Sequence, residues 1–502
     1  MTTTADMEKS SVLETTEPKE EELEHQKQQD RLNALLKEHE CTWDGPCDPQ
    51  DPYNWSSTWK ITVAIIVSLG QLVAIMTTSI VAPSLSTIAE DLHMKSSEMQ
   101  VTFSIFVLGL AFAPFLIAAL SEMYGRKSIW VTCNLWYILW NSLCPVGHSS
   151  VMMIVGRFMA GSGASVGTTL TSSVLTDMYR AEHRGKSLAI ATFIPYLGPA
   201  IGPILGGVIS QNLRWEWSFW ILSLFEAVIT LLGLIFFTET YTPTLLRRKA
   251  AAQRNDASSS PSPSRTVQAQ EFYHDLTRRL KPSILRPMLM LTQRPVVQVV
   301  SFINALAFGI YCLMLSTYAS LWTERYNENE TISSLNYIAI AIGTTIATQI
   351  GGHTMDWIYR NLKKRNKGQA RPEYRAPFLV PGVVLVPIGL FWYGWSADQA
   401  ISWVMVDAGA AIFTCGSFIV TQGMLAYLLD EMEYAASANA ASRMLSNICG
   451  FAFPIFAPQL YSRLHYGWGN SVLAFVFIAL GVPTPLLLWL WGFELRALGK
   501  KL

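Results

Sequence analysis

The sequence predicts an all-α integral membrane protein with twelve transmembrane helices. Half of the 502 residues are apolar and only 15% are charged, whereas soluble chains carry about a quarter charged residues. The apolar residues form blocks of about 20, the length that crosses roughly 30 Å of hydrocarbon. A polar stretch near the middle of the chain separates six blocks from six more. This layout predicts two pseudo-symmetric six-helix bundles, as in transporters built from repeats.

The apolar blocks place the twelve helices at 60–83, 99–120, 128–147, 150–178, 187–210, 217–238, 296–322, 332–357, 377–395, 400–428, 436–461 and 470–492. The stretch between the two sets contains a Ser/Pro-rich run, which is typical of a linker. We therefore expect five regions: a disordered cytoplasmic N-terminal tail (1–58), a first bundle (59–238), a cytoplasmic central loop (239–294), a second bundle (295–493) and a cytoplasmic C-terminus (494–502).

Lysine and arginine predict the orientation of the helices, because cytoplasmic loops carry an excess of these residues. With a cytoplasmic N-terminus and alternating spans, nearly all of the 37 basic residues fall on the cytoplasmic side. The exceptions are Lys95, Arg214, Arg325 and Arg463 outside, and Arg157 and Arg443 within spans. Both termini are therefore expected in the cytoplasm. The acceptor sequence Asn329-Glu330-Thr331 falls outside, so Asn329 is the expected glycosylation site.

Composition and motifs argue against an enzyme or a nucleic-acid-binding protein. The formal net charge is zero, so the chain has no overall basic character for nucleic acid. The seven cysteines have neither a disulfide-framework nor a zinc spacing, and the eight histidines form no His-x-x-x-His pair. The glycine-rich stretch 161–168 lacks the lysine of a phosphate loop, which argues against ATP-driven pumping. We therefore expect no enzymatic activity, no cofactor and no metal.

The fifth span contains the most specific pattern. Its glycines and prolines are Pro195, Gly198, Pro199, Gly202, Pro203, Gly206 and Gly207. Glycines that recur every four residues share one helix face, where a neighbouring backbone can approach closely, and the prolines weaken the helix. The eighth span has small residues at the same period, namely Ala339, Gly343, Ala347 and Gly351. Two such faces are predicted either to slide on each other or to pack statically.

The pattern from Gly198 to Gly207 resembles the fifth-helix antiporter motif of the major facilitator superfamily. More narrowly, the chain from Trp43 to Leu502 resembles the fungal twelve-spanning drug:proton antiporters. Other matching stretches are Trp43-Asp44-Gly45-Pro46, Ser121 to Lys127, Gly156 to Gly161, Glu239-Thr240-Tyr241 and Gly467 to Ser471. The resemblance implies the major facilitator fold and export of the multidrug or secondary-metabolite type by alternating access.

The resemblance also implies a conformational gate. In the family, the loop between helices two and three carries an acid and a basic pair, which match Glu122 and the pair that begins at Arg126. The glycine that usually starts this loop is Ala118 here. Glu122 and Arg126 are implied to hold the outward-facing state, with Asp177 as a partner, although topology and helix capping are an alternative explanation. A worn copy of the motif stands at 352–356 in the second half.

Charged side chains within spans are candidate coupling sites, because they are costly in hydrocarbon. The resemblance implicates Arg157 in proton transfer; arginine stays protonated, so it would tune a nearby carboxyl or a water chain, or simply bind backbone carbonyls. Glu226 and Asp407 lie deep in spans and are candidate proton carriers or substrate contacts. Arg443 is positioned in sequence to neutralise Asp407. The polar candidates for lining a cavity are Asn134, Gln298, Asn304, Gln422 and Asn447.

These observations favour a proton-coupled secondary transporter that exports a small amphiphilic compound, such as a drug, toxin or secondary metabolite. One alternative is a proton-coupled carrier of a polar solute, such as an organic acid or polyamine. Another is a membrane sensor on the same fold that does not transport. The expected partners are a small-molecule substrate, protons and the lipid bilayer, for a monomer in the plasma membrane or, alternatively, in a vacuolar or other internal membrane.

Overall fold

The computed structural model describes residues 33, 36–37, 42–45, 47–179, 194–257, 280–281, 284–367, 369, 371–431 and 435–498. The regular structure within these ranges is helical, and no β-strand occurs in them. The predicted tail before residue 42 and the central segment 258–279 fall almost wholly outside the described residues. The helices below are numbered in chain order, and "first half" and "second half" denote α1–α7 and α9–α15.

The helices of the first half are α1 (Ser57–Ser79), the short α2 (Leu85–Asp91), α3 (Ser96–Tyr124), α4 (Arg126–Leu143), α5 (Ser150–Met178), α6 (Gly198–Asn212) and α7 (Trp217–Phe236). A further helix, α8 (Thr242–Ala257), follows α7 in the central part of the chain. The second half contains α9 (Pro295–Arg325), the short α10 (Glu330–Leu335), α11 (Tyr337–Arg365), α12 (Ala376–Asp398), α13 (Trp403–Glu431), α14 (Ala435–Leu480) and α15 (Thr484–Ala497).

The helix α14 contains the last two predicted spans in one run. The backbone at His465 leaves the helical region, with φ 54° and ψ 179°, and divides α14 into two pieces. Tyr461 and Tyr466 stack across the break with ring centroids 4.6 Å apart. The Tyr461 hydroxyl donates to Asn470 Oδ1 at 3.1 Å. These contacts hold the turn between the eleventh and twelfth spans.

Eight stretches of the described helices are long and apolar enough to cross a membrane. They cover nine of the twelve predicted spans, because the stretch Ser437–Ala497 contains two of them. The remaining three are α4, α5 and α6. Within the described residues α6 has only 15 residues, and α4 and α5 bury polar side chains such as Asn141, Arg157 and Thr171 inside the bundle. The described part of α6 is therefore too short to count as a span, and the polar residues of α4 and α5 lower their hydropathy.

Helix packing is closest within each half. The helix α5 packs against α3 and α4, and α1 lies against α5, α6 and α7. In the second half α12 packs on α13, α9 on α14 and α11 on α13. The two halves meet mainly where α3 packs on α14 and where α6 contacts α10 and α11. Below, the "Arg126 end" of the bundle holds the start of α4, and the opposite "Arg214 end" holds the start of α7.

Part of the predicted disordered tail is folded. Trp43 is 3% exposed and packs with Leu246 of α8. The Lys249 ammonium lies 2.6 Å from Asp44 Oδ1 and 3.5 Å from Asp48 Oδ2. The prediction of disorder over 1–58 is therefore wrong for the segment from 42 onwards, because apolar burial and two ion pairs on α8 hold it in place. Composition could not show this, since the partner helix lies about 200 residues away.

Candidate functional site

A cluster of charged side chains closes the Arg126 end of the first half. The Arg126 side chain starts α4 and is 8% exposed. Its Nε lies 3.3 Å from Asp177 Oδ2 at the end of α5, and its Nη1 donates to Ser121 Oγ at 2.6 Å. Its guanidinium also lies 4.5 Å from the centroid of the Tyr241 ring. The structure thus brings together the predicted pair Arg126 and Asp177, across three helix ends.

Glu239 completes this cluster, and sequence reasoning gave it no role. Its Oε1 accepts from the backbone N–H groups of Arg126 at 2.8 Å and Tyr241 at 3.0 Å. Its Oε2 accepts from the N–H of Lys127 at 3.3 Å. A carboxylate at the N-terminus of α4 is favoured by the helix dipole. Gly125 permits this contact: its φ is 96°, and an added Cβ would overlap the Glu239 carboxylate.

Glu122, the acid that the resemblance placed in the gate, stands apart from the cluster. Its side chain is half-buried on α3, and it forms no ion pair with any residue that the structure describes. In this conformation Asp177 and Glu239 are the acids that hold the Arg126 region. The role of Glu122 in the outward-facing state stays a prediction.

The second half contains a corresponding cluster at the same end. Arg375 precedes α12, as Arg126 begins α4, and its Nε lies 2.8 Å from Asp430 Oδ2 near the end of α13. Its Nη1 lies 3.2 Å from Asp356 Oδ1, the acid of the worn motif copy in α11. The guanidinium is 4.2 Å from the Tyr359 ring centroid. In each half, an arginine before the third span thus meets an aspartate at the end of the fourth.

Arg157 is fully buried in α5 and is held by backbone. Its Nη2 donates to the carbonyl oxygens of Thr77 and Phe103, both at 3.3 Å. Its guanidinium lies 5.3 Å from the Phe106 ring centroid. Its Nε and Nη1 have no hydrogen-bond partner among the described residues. The geometry matches the carbonyl-bound alternative, and two unpaired donors remain that a water chain would satisfy.

Glu226 lies inside the first half, 2% exposed, between α7, α1 and α4. A Cβ placed on Gly70 would be 3.6 Å from Glu226 Oε1 and 3.8 Å from Trp130 Nε1, so both polar atoms lie at that point of α1. Neither carboxyl oxygen has a hydrogen-bond partner in the described structure, and neither do Trp130 Nε1, Asn134 Nδ2 and Thr230 Oγ1. Unpaired buried polar groups are rare in proteins and call for an explanation.

Asp407 has a partner other than the one expected. The Tyr318 hydroxyl donates to Asp407 Oδ1 at 2.6 Å, and the Tyr318 ring packs edge-on against Tyr337. Arg443, predicted to neutralise Asp407, is exposed and forms no ion pair with it. The prediction is wrong because Asp407 lies near the Arg214 end of α13, whereas Arg443 lies near the Arg126 end of α14. The position of a residue along its own span does not show whether it lies at the same depth as a residue of another span.

The glycine face of α6 does not face the eighth span. A Cβ on Gly202 would lie 2.9 Å from Met76 O and one on Gly198 would lie 2.7 Å from the Ile75 side chain, both in α1. Gly206 also packs on α1, at Ile80. In α11, Gly343 packs on Ala411 and Cys415 of α13. The predicted sliding of these two faces on each other is therefore corrected: each packs on a helix of its own half.

Gly207 is the glycine of α6 that touches the second half. A Cβ there would lie 2.6 Å from Glu330 O, at the start of α10. Close by, Gln211 Oε1 accepts from the Thr331 N–H at 3.2 Å and Thr87 donates to Glu330 Oε1 at 3.1 Å. The two halves are thus joined at the Arg214 end. Next to this contact, the Asn329 side chain is exposed and caps α10 through a 2.8 Å bond from the Ile332 N–H.

The predicted cavity-lining residues lie in different parts of the bundle. Asn304 donates to Ser442 at 3.2 Å within the second half, and Asn447 donates to Leu110 O at 3.1 Å between the halves. Gln298 bonds Thr292 O on the surface. Asn134 is buried in α4, one turn from Trp130, and its Nδ2 has no hydrogen-bond partner among the described residues. The structure places the half-buried Gln422 beside Gly351, with its Oε1 3.6 Å from an added Cβ.

Aromatic rings meet between the halves, near the middle of α9 and α13. Tyr196, which precedes α6, lies edge-on to Phe418 of α13, with centroids 6.0 Å apart. Phe418 in turn lies 5.9 Å from Tyr311 of α9. The Tyr311 hydroxyl is buried without a hydrogen-bond partner among the described residues. These side chains can contact the apolar and hydrogen-bonding parts of a small amphiphile.

Comparison with known proteins agrees with this architecture. A family model described as the Major Facilitator Superfamily matches residues 67–454. A transporter of Schizosaccharomyces pombe is 38% identical over 461 residues, which are 91% of this chain and 93% of the relative. An efflux pump of Penicillium aethiopicum is 38% identical over 463 residues, with 91% and 90% covered.

Solved structures show the same fold at low identity. The xylose transporter XylE of E. coli, in a partially occluded inward-open conformation, has a TM-score of 0.61 at 13% identity, covering 86% of this chain and 98% of that one. The human organic anion transporter MFSD10 has a TM-score of 0.55 at 14% identity, covering 84% and 98%. The fold and its paired charge clusters are those of a membrane transporter. The chain belongs to the major facilitator superfamily, with the fold predicted from its sequence.

Proposed function

We propose that this protein is a proton-coupled secondary transporter that exports small amphiphilic compounds by alternating access between two six-helix bundles. The efflux pump among its relatives supports the direction. The charge clusters at the Arg126 end of both halves support a gate there. The distribution of lysine and arginine supports cytoplasmic termini, so that the gate faces the cytoplasm and Asn329 faces outside. The proposed working form is a monomer in the plasma membrane.

One observation supports the coupling: neither oxygen of the buried Glu226 carboxyl has a hydrogen-bond partner in the described part of the chain. An isolated carboxylate in a low-dielectric interior costs several kcal/mol even after relaxation, so the buried side chain is favoured as a neutral acid. Release of its proton requires water or a partner to reach it in the other access state. Asn134, Thr230 and Trp130 supply unpaired polar atoms in the same region. A proton carrier of this kind links protonation to conformation.

The rings between the halves support an amphiphilic substrate. Tyr196 and Phe418 belong to different halves, so a compound bound between them contacts both moving parts. Movement of one half against the other would then open the bound compound first to one side of the membrane and then to the other. The Tyr311 hydroxyl offers a single buried polar contact, which suits a mainly apolar molecule with a polar group.

The coupling is tested with purified protein in proteoliposomes. The probe is rhodamine 6G, and two activities are measured: accumulation driven by a pH gradient, and exchange of labelled for unlabelled probe without a gradient. We expect Glu226→Gln to retain exchange and to lose gradient-driven accumulation. Exchange needs binding and conformational change but no net proton movement.

The matched control is Asp407→Asn, which neutralises the other acid that the sequence predicted as a proton carrier. Because Asp407 is half-buried and bonded to Tyr318, we expect this variant to keep both activities. Full gradient-driven transport by Glu226→Gln contradicts the proposed coupling. Loss of both activities in Glu226→Gln indicates instead a role in substrate binding or folding. Absence of both activities in the wild type, with a panel of lipophilic dyes, favours the sensor alternative.

A further inference from the structure

A cavity of about 370 Å³ opens at the Arg214 end of the first half, away from the gate and the rings. It lies between the segment that follows α4, which includes Val146 and His148, and the start of α7, with Trp217 and Trp220. Neither the charge clusters nor the region around Glu226 contributes to it. Its function is therefore separate from the coupling proposed above.

The charged groups of the cavity form an unequal pair. The Arg214 side chain is 71% exposed, and its Nη2 lies 2.5 Å from Glu216 Oε1. The Glu216 side chain is only 5% exposed. Its second oxygen, Oε2, is buried with no hydrogen-bond partner among the described residues. The cavity thus has an exposed cation beside a buried acid, whose second oxygen is unpaired among the described residues.

Two indole rings form the side of the cavity. Trp217 and Trp220 are 45% and 37% exposed, and their centroids lie 5.4 Å apart in an edge-to-face arrangement. The Trp220 Nε1 donates to Ser142 O at 3.3 Å, which fixes this ring against the end of α4. Indole faces beside an acid are the groups that bind quaternary ammonium ions.

The cavity continues into an apolar surface on the outside of the bundle. Trp217 and Trp220 begin a stripe on α7 whose next members are spaced four, four and three residues apart, the period of one helix face. These members are Leu224, Val228 and Leu231, which are 67%, 48% and 58% exposed. From Trp217 to Leu231 the stripe runs roughly 21 Å along the helix. On α4, Leu135 and Leu139 are also exposed, at 54% and 51%.

We propose that this cavity binds the headgroup of a phosphatidylcholine. The phosphate lies on the exposed Arg214 guanidinium, and the choline ammonium lies against Trp217 and Trp220, in the field of the Glu216 carboxylate that lines the same cavity. The acyl chains follow the stripe on α7. A lipid with a net negative headgroup is disfavoured, because the Glu216 carboxylate offsets the charge of Arg214 and repels a headgroup that has no cation of its own. The stripe distinguishes a lipid from a free phosphate or a soluble choline compound, which have nothing to place on it.

The test measures which lipids the full-length protein retains when it is released from bilayers of equal phosphatidylcholine, phosphatidylethanolamine and phosphatidylglycerol. Native mass spectrometry counts the bound lipids. For the wild type we expect one retained phosphatidylcholine in preference to phosphatidylglycerol. Trp217→Leu combined with Trp220→Leu should weaken this retention by about tenfold, since a desolvated cation–π contact contributes about 1–2 kcal/mol. Glu216→Gln should lower the preference for phosphatidylcholine over phosphatidylglycerol.

The matched control is Trp403→Leu, a tryptophan at the corresponding end of α13 that is 57% exposed and does not line this cavity. It should leave lipid retention unchanged. Equal retention of the two lipids by the wild type overturns the proposal, as does an equal loss in Trp403→Leu. If the double tryptophan variant does not elute as folded protein, the wild-type preference and Glu216→Gln decide the question. The assay needs no transport, so its failure is distinct from failure of the proposed export.

Discussion

The two halves of the molecule hold their ionisable side chains differently. In the first half Glu226 is 2% exposed and has no partner among the described residues, and Arg126 is 8% exposed. In the second half Asp407 is half-buried and accepts a 2.6 Å bond from Tyr318. The Arg375 cluster is also more exposed to solvent than the Arg126 cluster, since the Asp356 side chain is 54% exposed.

This difference indicates a division of roles between related helix bundles. A group that couples protonation to conformation must be held where one charge state is unfavourable. Among the described carboxyls of the spans, Glu226 meets this condition most fully, because it is 2% exposed and has no hydrogen-bond partner in the described structure. The second half has the same arrangement of arginine and aspartate at the Arg126 end of the bundle but satisfies or solvates its acids. The two halves thus have related helix arrangements, but their acidic side chains are buried from water to different extents.

The largest effects are expected where a leucine is added to a helix contact within one half. Gly202→Leu in the first half and Gly343→Leu in the second each insert a side chain against a neighbouring backbone, at an expected cost of about 3 kcal/mol. Both should lose folded yield, measured by size-exclusion chromatography of a fluorescent fusion. Gly207→Leu, at the contact between halves, should fold but transport slowly.

Gly352→Leu is the control for yield, because a Cβ at Gly352 meets nothing within 4 Å. Its yield should equal that of the wild type. A well-folded, fully active Gly202→Leu protein contradicts the packing described for α6 on α1. A Gly207→Leu protein that does not fold would show that the contact between halves is as static as those within them.

A smaller difference is expected between the two gate arginines. Arg126→Ala leaves Asp177 without its ion pair in a mostly buried site, so it should destabilise the protein by about 3 kcal/mol. Arg375→Ala should cost about 1 kcal/mol, because its partners are more exposed. Thermal unfolding of the purified proteins measures both. Equal shifts in the two variants would contradict the asymmetry in burial.

The smallest effect concerns the N-terminal segment, which has no described counterpart in the second half. Burial raises the pKa of Asp48, but the N–H groups of Asp44 and Gln50 and the Lys249 ammonium outweigh it, and the net pKa is lowered. Because the folded pKa of Asp48 is lowered, its carboxylate stabilises docking at any pH above the unfolded pKa of about 3.9. This stabilisation is lost as the pH falls through the folded pKa. Hydrogen-exchange protection of the Asp44 and Gln50 amides should therefore decline below about pH 4.

The Lys249→Gln variant removes the ammonium and is the comparison for this effect. It should move the decline in protection to higher pH, because one of the groups that lowers the Asp48 pKa is gone. Protection that persists unchanged at acidic pH in both proteins would show that Trp43 and Leu246 alone hold the segment. That result would leave the ion pairs without a measurable role in docking.

Local patterns predicted the arrangement of the helices well. The apolar blocks at 60–83 and 99–120 correspond to α1 and α3, and the resemblance led to the pair of Arg126 and Asp177, which the structure brings within 3.3 Å. Glu239 was missed as a capping group because it acts on the N-terminus of α4, more than 100 residues earlier. No local signal marks a carboxylate that caps a distant helix.

Hydropathy and charge by themselves determined that this chain crosses the membrane as two sets of helices, because an apolar block of about 20 residues has few other stable environments. The residues that each helix face meets were determined only in three dimensions. The glycines of α6 have the period of a close helix contact, and this period is the same whichever neighbour they face. In the folded protein three of them pack on α1 and Gly207 packs on α10. Likewise, the depth of Asp407 relative to Arg443 depends on where each helix begins in the bundle.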